Sequence, residues 1–286
     1  MAIFTNRATL SYNGSTISSN TVTGEILGRI TVSKTAIGGD YTVGNAITYT
    51  VSVVNTSDSV INGVTVNDDL GAYEFEGATL VPLDYVAGSA VYFVNGVPQG
   101  AATVQEGSPL IISGIDIPAG GNALIVYQAT PNGFASPEAG GSITNTATAS
   151  GDGICTADVA SATVMAAEGA SLSINKAIDP TPVVENGVVT YTLTVQNVGN
   201  TPIVATDSVI INDTFDPVLS DITVTLNGVE LDATQYTYDQ ATGEFATADG
   251  VVTVPAATFT RDENGLFIAE AGISVLTISG NIGCTA

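Results

Sequence analysis

The sequence predicts an all-β protein built as two successive two-sheet sandwiches. Three observations lead there. β-Branched and small residues dominate, and their runs are broken by Asn-Gly, Gly-Gly and Pro-Ala-Gly, the turn chemistry of a chain rich in reversals. The runs alternate: Ile47, Tyr49, Val51 and Val53 fall on one face, and Thr48, Thr50 and Ser52 on the other. Period two means strands with one buried face. The third observation is a repeat of long period, the mark of similar domains in series. A length of 286 residues leaves room for two cores of ordinary size.

The elements follow in chain order. FTNRATLSY (4–12) alternates as a strand, Asn13-Gly14 is a hairpin turn pair, and residues 15–27 read as the return strand. The first repeat holds ITVSKTA (30–36), AITYTVSVVNT (46–56), GVTVNDDL (63–70), YFVNGV (92–97), IPAGGNALIVYQATP (117–131) and ITNTATAS (143–150). The second holds SLSINKAI (171–178), VVTYTLTVQNVGN (188–200), VIINDTFDP (209–217), TLNGVE (225–230) and AEAGISVLTISGN (269–281). Val189, Tyr191, Leu193 and Val195 repeat the alternation of the first copy. The expected boundaries are 1–27 for an N-terminal strand and hairpin connector, 28–168 for the first sandwich and 169–286 for the second.

The second repeat is expected to lack its last strand, because NIGCTA follows ISVLTISG where ITNTATAS would stand. Such a sandwich exposes an apolar slot and unpaired edges, an aggregation hazard. FTNRATLSYNG (4–14) matches ITNTATASGDG (143–153) at Thr5/Thr144, Asn6/Asn145, Ala8/Ala147, Thr9/Thr148, Ser11/Ser150 and Gly14/Gly153. The expected solution is donor-strand complementation, in which Phe4, Thr5, Asn6, Arg7, Ala8, Thr9, Leu10, Ser11 and Tyr12 of one copy fill the slot of the next. That contact is head-to-tail and yields a filament unless the rotation closes a ring. The competing reading is completion within one chain, or an ordinary N-terminal edge strand.

Composition excludes other classes. A formal charge of −23 with five Lys and Arg cannot displace counterions from phosphate backbones, so neither nucleic acid nor an anionic membrane is an expected partner. No apolar run reaches the 18 residues or so of a transmembrane helix, so membrane insertion is not expected. The first 25 residues lack the apolar core of a secretory leader, which leaves the export route open. Histidine is absent, so His-based triads and metal sites are excluded, and no metal or other cofactor is expected.

The order S-K-T-A, I-T-Y-T-V, V-T-V-x-D-x-L, I-P-A-G and I-T-N-T-A-T resembles the conserved repeat of bacterial surface proteins catalogued as the domain of unknown function number eleven. That family is similar to the isopeptide-forming domains of Gram-positive pilins and adhesins. The resemblance implies Ig-like, isopeptide-type β-sandwiches. It also implies that a lysine on the first strand joins an Asn on the last with help from a buried acid. The chain has two lysines, Lys34 and Lys176, at equivalent places in the repeats. For the first domain the implied set is Lys34, Asp68 and Asn145, with Asp69 the less favoured acid. For the second it is Lys176 and Asp213, with Asn6 of another copy as the partner and Asn281 as a rival. The chemistry is coherent, since a desolvated lysine becomes a neutral nucleophile and a protonated carboxyl polarises the amide. The alternative is that both lysines only pair with Asp68 and Asp213.

Cys155 follows the last strand of the first domain and Cys284 that of the second; strand directions bring them together, and an intrachain disulfide in an oxidising compartment is expected. Free thiols or pairing between subunits are the alternatives. Function reads first as a structural subunit of an extracellular bacterial filament, pilus-like or a spore appendage, whose partner is itself. The second reading is an adhesin or stalk binding a host or glycan ligand through the loops around Tyr85–Tyr92 and Tyr236–Glu244. An enzyme is not expected, because neither a nucleophile elbow nor a phosphate loop is present.

Overall fold

Alternating β-branched sequence leaves little room for helix, and the computed structural model, which describes residues 2–26 and 28–283, is all-β. Among the described residues one 3-10 turn, Ala205–Asp207, is the only helical piece. The chain forms two compact units, Met1–Ala135 with Ser142–Met165 and Ser136–Gly141 with Ala166–Ala286.

The first unit begins with a hairpin. Strand β1 (Ala2–Asn6) continues into β2 (Thr9–Tyr12), and the chain returns through β3 (Ser15–Ser18) and β4 (Val22–Ile26). The turn needs positive φ at both central residues, and Asn13 at 48° and Gly14 at 83° supply it. β2 pairs β3 and β1 pairs β4, with Ser19 and Ala8 exchanging two hydrogen bonds at the joint. Every residue from Ile3 to Val22 is exposed.

The sandwich of this unit follows: β5 (Ile30–Ile37), β6 (Ile47–Asn55), β7 (Ile61–Asp68), β8 (Tyr73–Phe75), β9 (Ala78–Leu80), β10 (Leu83–Tyr85), β11 (Val91–Val94), β12 (Val97–Pro98), β13 (Thr103–Gln105), β14 (Leu110–Ile117), β15 (Asn122–Pro131), β16 (Ser142–Ser150) and β17 (Asp158–Met165). One sheet runs β12-β11-β15-β6-β5, with β10 also on β15, and the other β13-β14-β7-β16-β17. The inward positions close the core: Tyr49, Val51, Val53, Ile125 and Tyr127 from the first sheet, and Val64, Val66, Ile112, Ala147 and Ala149 from the second, all fully buried. Each large side chain there stabilises by about 1.5–3 kcal/mol relative to exposure.

The second unit holds β18 (Leu172–Asp179), β19 (Val188–Asn197), β20 (Asn212–Thr214), β21 (Leu219–Leu226), β22 (Val229–Glu230), β23 (Tyr236–Tyr238), β24 (Glu244–Thr247), β25 (Thr258–Arg261), β26 (Phe267–Glu270) and β27 (Gly272–Ile282). Its main sheet, β18-β19-β27-β21-β22, copies the β5-β6-β15-β11-β12 order of the first unit. Its other strands among the described residues form the β20-β24-β23 sheet and the β25-β26 pair. Leu193, Val195, Phe215, Leu219, Phe245, Leu276 and Ile278 make its core.

Both units share one internal brace. Asn55 Nδ2 donates to the carbonyls of Ser59, Ile117 and Pro118, and its Oδ1 accepts from Ser57 N. Asn197 does the same with Thr201, Pro255, Ser171 and Gly199. Both are fully buried, so their amides are satisfied by backbone that would otherwise be orphaned.

Candidate functional site

Strand alternation points Lys34 of β5, Asp68 at the end of β7 and Asn145 of β16 into the core of the first unit. Lys34 is 6% exposed, and Asp68 and Asn145 are fully buried. Lys34 Nζ pairs with Asp68 Oδ2. The same oxygen accepts the Tyr127 hydroxyl at 2.6 Å, and Asn145 Nδ2 donates to that hydroxyl at 3.0 Å. Asp68 Oδ1 takes Leu70 N at 3.1 Å. The structure thus brings together all three residues of the predicted first-domain set. Asp69 does other work: its Oδ1 accepts Gly71 N and Thr146 N, both at 2.8 Å, and so shapes the turn and holds β16.

Two residues escaped the sequence reading. Tyr49 and Tyr127 stack at 5.6 Å between centroids and flank Lys34 Nζ at 5.2 and 5.7 Å. The available signal was a phenol on the inward face of a strand, which needs a buried partner. Burial first, and the Asp68 charge second, push both phenols well above their ordinary range, while the Asn145 amide opposes the shift. They therefore remain protonated and able to donate. Burial pulls the Lys34 pKa below its ordinary 10.5, against the opposing pull of Asp68. Among the described residues, Asn145 Oδ1 and the Tyr49 hydroxyl are the buried side-chain polar atoms left without a hydrogen-bond partner. An orphaned buried amide oxygen costs stability.

The lysine has a pH signature. Its folded pKa lies below the unfolded value of 10.5, so the unfolded chain binds more protons between the two. With cross-linking blocked by Asn145→Ala, the stability of this unit is expected to be lowest below the folded pKa and to rise as pH climbs toward 10.5. Thermal melts should be compared below pH 10, because Tyr41, pushed up to about 12 by burial, and the two buried phenols act in the opposite direction above it. A chain whose Lys34 is already an amide should lack the rise.

The second unit presents half of the same site. Lys176 of β18 pairs with Asp213 Oδ2 of β20 and lies over Tyr191 at 4.6 Å and Phe215 at 5.2 Å. Asp213 Oδ1 accepts Thr214 N. The lysine side chain is 39% exposed, against 0% for Lys34. Tyr191 sits where Tyr49 does, but Ile278 faces it where Tyr127 faces Tyr49. Asn281 is not the partner: Lys176 is in register with Leu193 and Leu276, and Asn281 lies five residues further along β27, roughly 17 Å away. Asn281 donates instead to Asp221.

The cause of this openness is specific. In the first unit β7 is paired on both sides, by β14 and β16, and β17 follows β16 beside β5. In the second unit β20 is paired only by β24 among the described residues. The repeat predicts one absent strand, whereas among the described residues no strand of the second unit stands at the place of either β16 or β17. All eight residues of β18 are exposed, including Leu172, Ile174 and Ile178, which occupy the inward positions. A groove of about 260 Å³ opens beside them, reaching Val195, Val209 and Ile211.

Asn6 lies on the exposed N-terminal hairpin, opposite Val22. Phe4, Leu10 and Tyr12, on the same alternation, are 52%, 65% and 74% exposed. Thr5, Arg7, Thr9 and Ser11 take the other face, and Arg7 donates to Ser18.

The remaining expectations divide. The stretch Tyr85–Tyr92 holds a short loop, residues 86–90, pinned at both ends because β10 and β11 both pair β15, and the Tyr85 hydroxyl accepts Ala90 N. The stretch Tyr236–Glu244 is a β-hairpin on the core, with Tyr236 stacked on Phe245 at 5.7 Å. Cys155 is exposed, and the predicted pairing with Cys284 falls outside the described residues. No helix among the described residues is long and apolar enough to cross a membrane. No group of His, Cys, Asp and Glu there could hold a metal ion.

No protein-family model matches the chain, and no curated protein matches it. Similar solved structures include BcpA, the major pilin subunit of Bacillus cereus, at 11% identity and TM-score 0.39, covering 95% of this chain and 73% of that one. The 35 kDa C-terminal fragment of the major pilin GBS80 of Streptococcus agalactiae is 11% identical at TM-score 0.37, over 85% of this chain and 91% of that one. The collagen-binding subdomain of the Enterococcus faecalis surface protein ACE is 8% identical at TM-score 0.32, over 50% of this chain and 99% of that one. These values are too low to carry residue roles across.

Proposed function

We propose that this chain is the structural subunit of an extracellular bacterial filament, pilus-like or a spore appendage, and that it polymerises head to tail with copies of itself. The observation that carries the reading is the match between an uncovered half-site and an exposed strand. The second unit presents Lys176 and Asp213 without an Asn, beside a bare apolar face. The N-terminal segment presents Asn6 on an exposed strand whose sequence repeats that of β16. Strand addition gives affinity through main-chain hydrogen bonds and register through alternate side chains. In β16 Ala147 lies opposite Asp68, two residues after Asn145. The same register sets Ala8 opposite Asp213 and Asn6 beside Lys176.

The only chemistry in this reading is self-modification. In the first unit Lys34 passes its ammonium proton to Asp68, and the neutral amine attacks Cγ of Asn145. Asp68 gives that proton through the Tyr127 hydroxyl to the departing amide nitrogen, which leaves as ammonia, and takes up the second proton that the attacking nitrogen sheds as it becomes the new amide. One N–C bond forms and one breaks, so the step needs no oxidant or co-substrate. Lys176 and Asn6 of the next copy undergo the same exchange at Asp213. Removing the relay with Tyr127→Phe is expected to slow cross-linking of refolded chains tenfold or more, read by mass against time, with the fold retained.

Negative-stain microscopy tests assembly. Purified chain is expected to form long uniform filaments, and monodisperse particles would sink the proposal. Phe4→Asp with Leu10→Asp places two charges in an apolar slot and should raise the critical concentration about a hundredfold or more. A slot filled by any other segment would leave that double variant polymerising normally.

A further inference from the structure

The uncovered region of the second unit is wider than one strand. In the first unit the β16–β17 hairpin closes the sandwich as a pair: Asn145 lies opposite Ala162 and Ile143 opposite Val164. β17 adds more than bulk, since Asp158 Oδ2 accepts Val32 N of β5 at 2.8 Å and Ala162, Val164 and Ala166 are buried. On the inward face of β5, which packs against β17, Ile30 and Lys34 are buried. The corresponding positions of β18, Leu172 and Lys176, have no such strand over them among the described residues. A single donor strand added to β20 would supply Asn6 and leave the β17 place empty over Ile174 and Ile178, which are 57% and 44% exposed.

The N-terminal segment carries a second strand of the right register. Asn6 faces Val22 as Asn145 faces Ala162, and Phe4 faces Gly24 as Ile143 faces Val164. β4 therefore offers Val22, Gly24 and Ile26 at the places of Ala162, Val164 and Ala166. Val22 and Ile26 are 56% and 47% exposed. The volumes compensate across the hairpin. A Cβ on Gly24 would overlap the Phe4 ring, which thus occupies the space that a side chain at 24 would need. One large and one absent side chain replace the Ile143–Val164 pair.

We infer that the donor is the whole hairpin, with β1 and β2 of one copy taking the place of β16 in the second unit of the next copy, and β4 the place of β17. This rests on the polymerisation reading and names what is exchanged. The hairpin is marginal alone, because two strands without a packed face are barely stable in water. Docking gives it a core, and it arrives already paired, so less backbone has to be ordered at the moment of assembly. The occupant is a second copy of this chain, and both strands contribute an apolar face to the slot.

Elongation of wild-type seeds by full-length variants tests it, with growth followed by light scattering and microscopy. Val22→Asp is expected to slow elongation at least about tenfold, because it drives a charge into the closed slot while the free hairpin tolerates it at an exposed position. Thr23→Asp, on the outward face of the same strand, should elongate normally. Gly24→Val should also block growth, and Phe4→Ile combined with Gly24→Val should restore it by recreating the Ile143–Val164 pair. If Phe4→Asp blocks growth while Val22→Asp and Gly24→Val do not, a single strand is exchanged and the inference is overturned, with polymerisation intact. If wild type forms no filament, both fall together.

Discussion

Folded chain is expected to weigh one ammonia less than its sequence for the bond between Lys34 and Asn145. The expectation is supported by a lysine whose burial favours the neutral amine, an acid in contact with it, and a buried Asn145 joined to that acid through Tyr127. The bond would close a loop of the order of 100 residues between β5 and β16, and a cross-link of that span constrains the unfolded state by about 4–5 kcal/mol. Asn145→Ala should restore the full mass and lower the melting temperature of this unit by roughly 10–20 °C. Asp68→Ala should also block the bond, but its larger effect on folding makes it the poorer test, because it leaves a lysine buried without a counter-charge. Mass spectrometry of proteolytic fragments locates the link. An unmodified wild-type mass would reduce the cluster to a buried ion pair.

Filaments boiled in SDS are expected to run as a ladder, and Asn6→Ala or Lys176→Arg should collapse that ladder to monomer. Microscopy of the same variants should still find filaments, because strand pairing and the apolar face of Phe4, Ala8 and Leu10 remain. The two effects separate covalent from non-covalent assembly. Lys176 is partly open in the free chain, and the incoming strand would cover it as β16 and β17 cover Lys34. The intersubunit bond should form more slowly than the intradomain one, since Ile278 stands at the place of Tyr127, the relay of the proposed step. Ile278→Tyr is expected to accelerate the ladder. A ladder unchanged by Asn6→Ala would assign the link to other residues.

Much of this was legible in the residues. The alternation of Ile47 to Val53 places the inward face before any coordinates, because period two is a property of the strand itself. Asn13-Gly14 declares its turn through the positive φ that both residues tolerate. Lys34 and Lys176 stood out because the chain contains no other lysine and both occupy the same repeat position. Asn281 was a reasonable rival on sequence, and only the ladder register shows it several residues out of reach. The stretches at 85–92 and 236–244 read as loops because short strands carry too few residues to show a period. Their ends are strand, pairing with β15 in the first and as the β23–β24 hairpin in the second, while residues 86–90 and 239–243 are the turns between.

By itself, then, the sequence determined the class of fold, the repeat, the hairpin and the residue types at both half-sites, all of which follow from local alternation, turn chemistry and internal comparison. The tertiary structure decided the rest. It set Tyr127 between Asp68 and Asn145, left the Asn145 oxygen orphaned, and among the described residues opened one strand place on β20 and a second over β18. Those facts depend on which strands are neighbours and in what register. Pairing of that kind joins residues as far apart as Val188 and Asn281, and no short-range pattern encodes it.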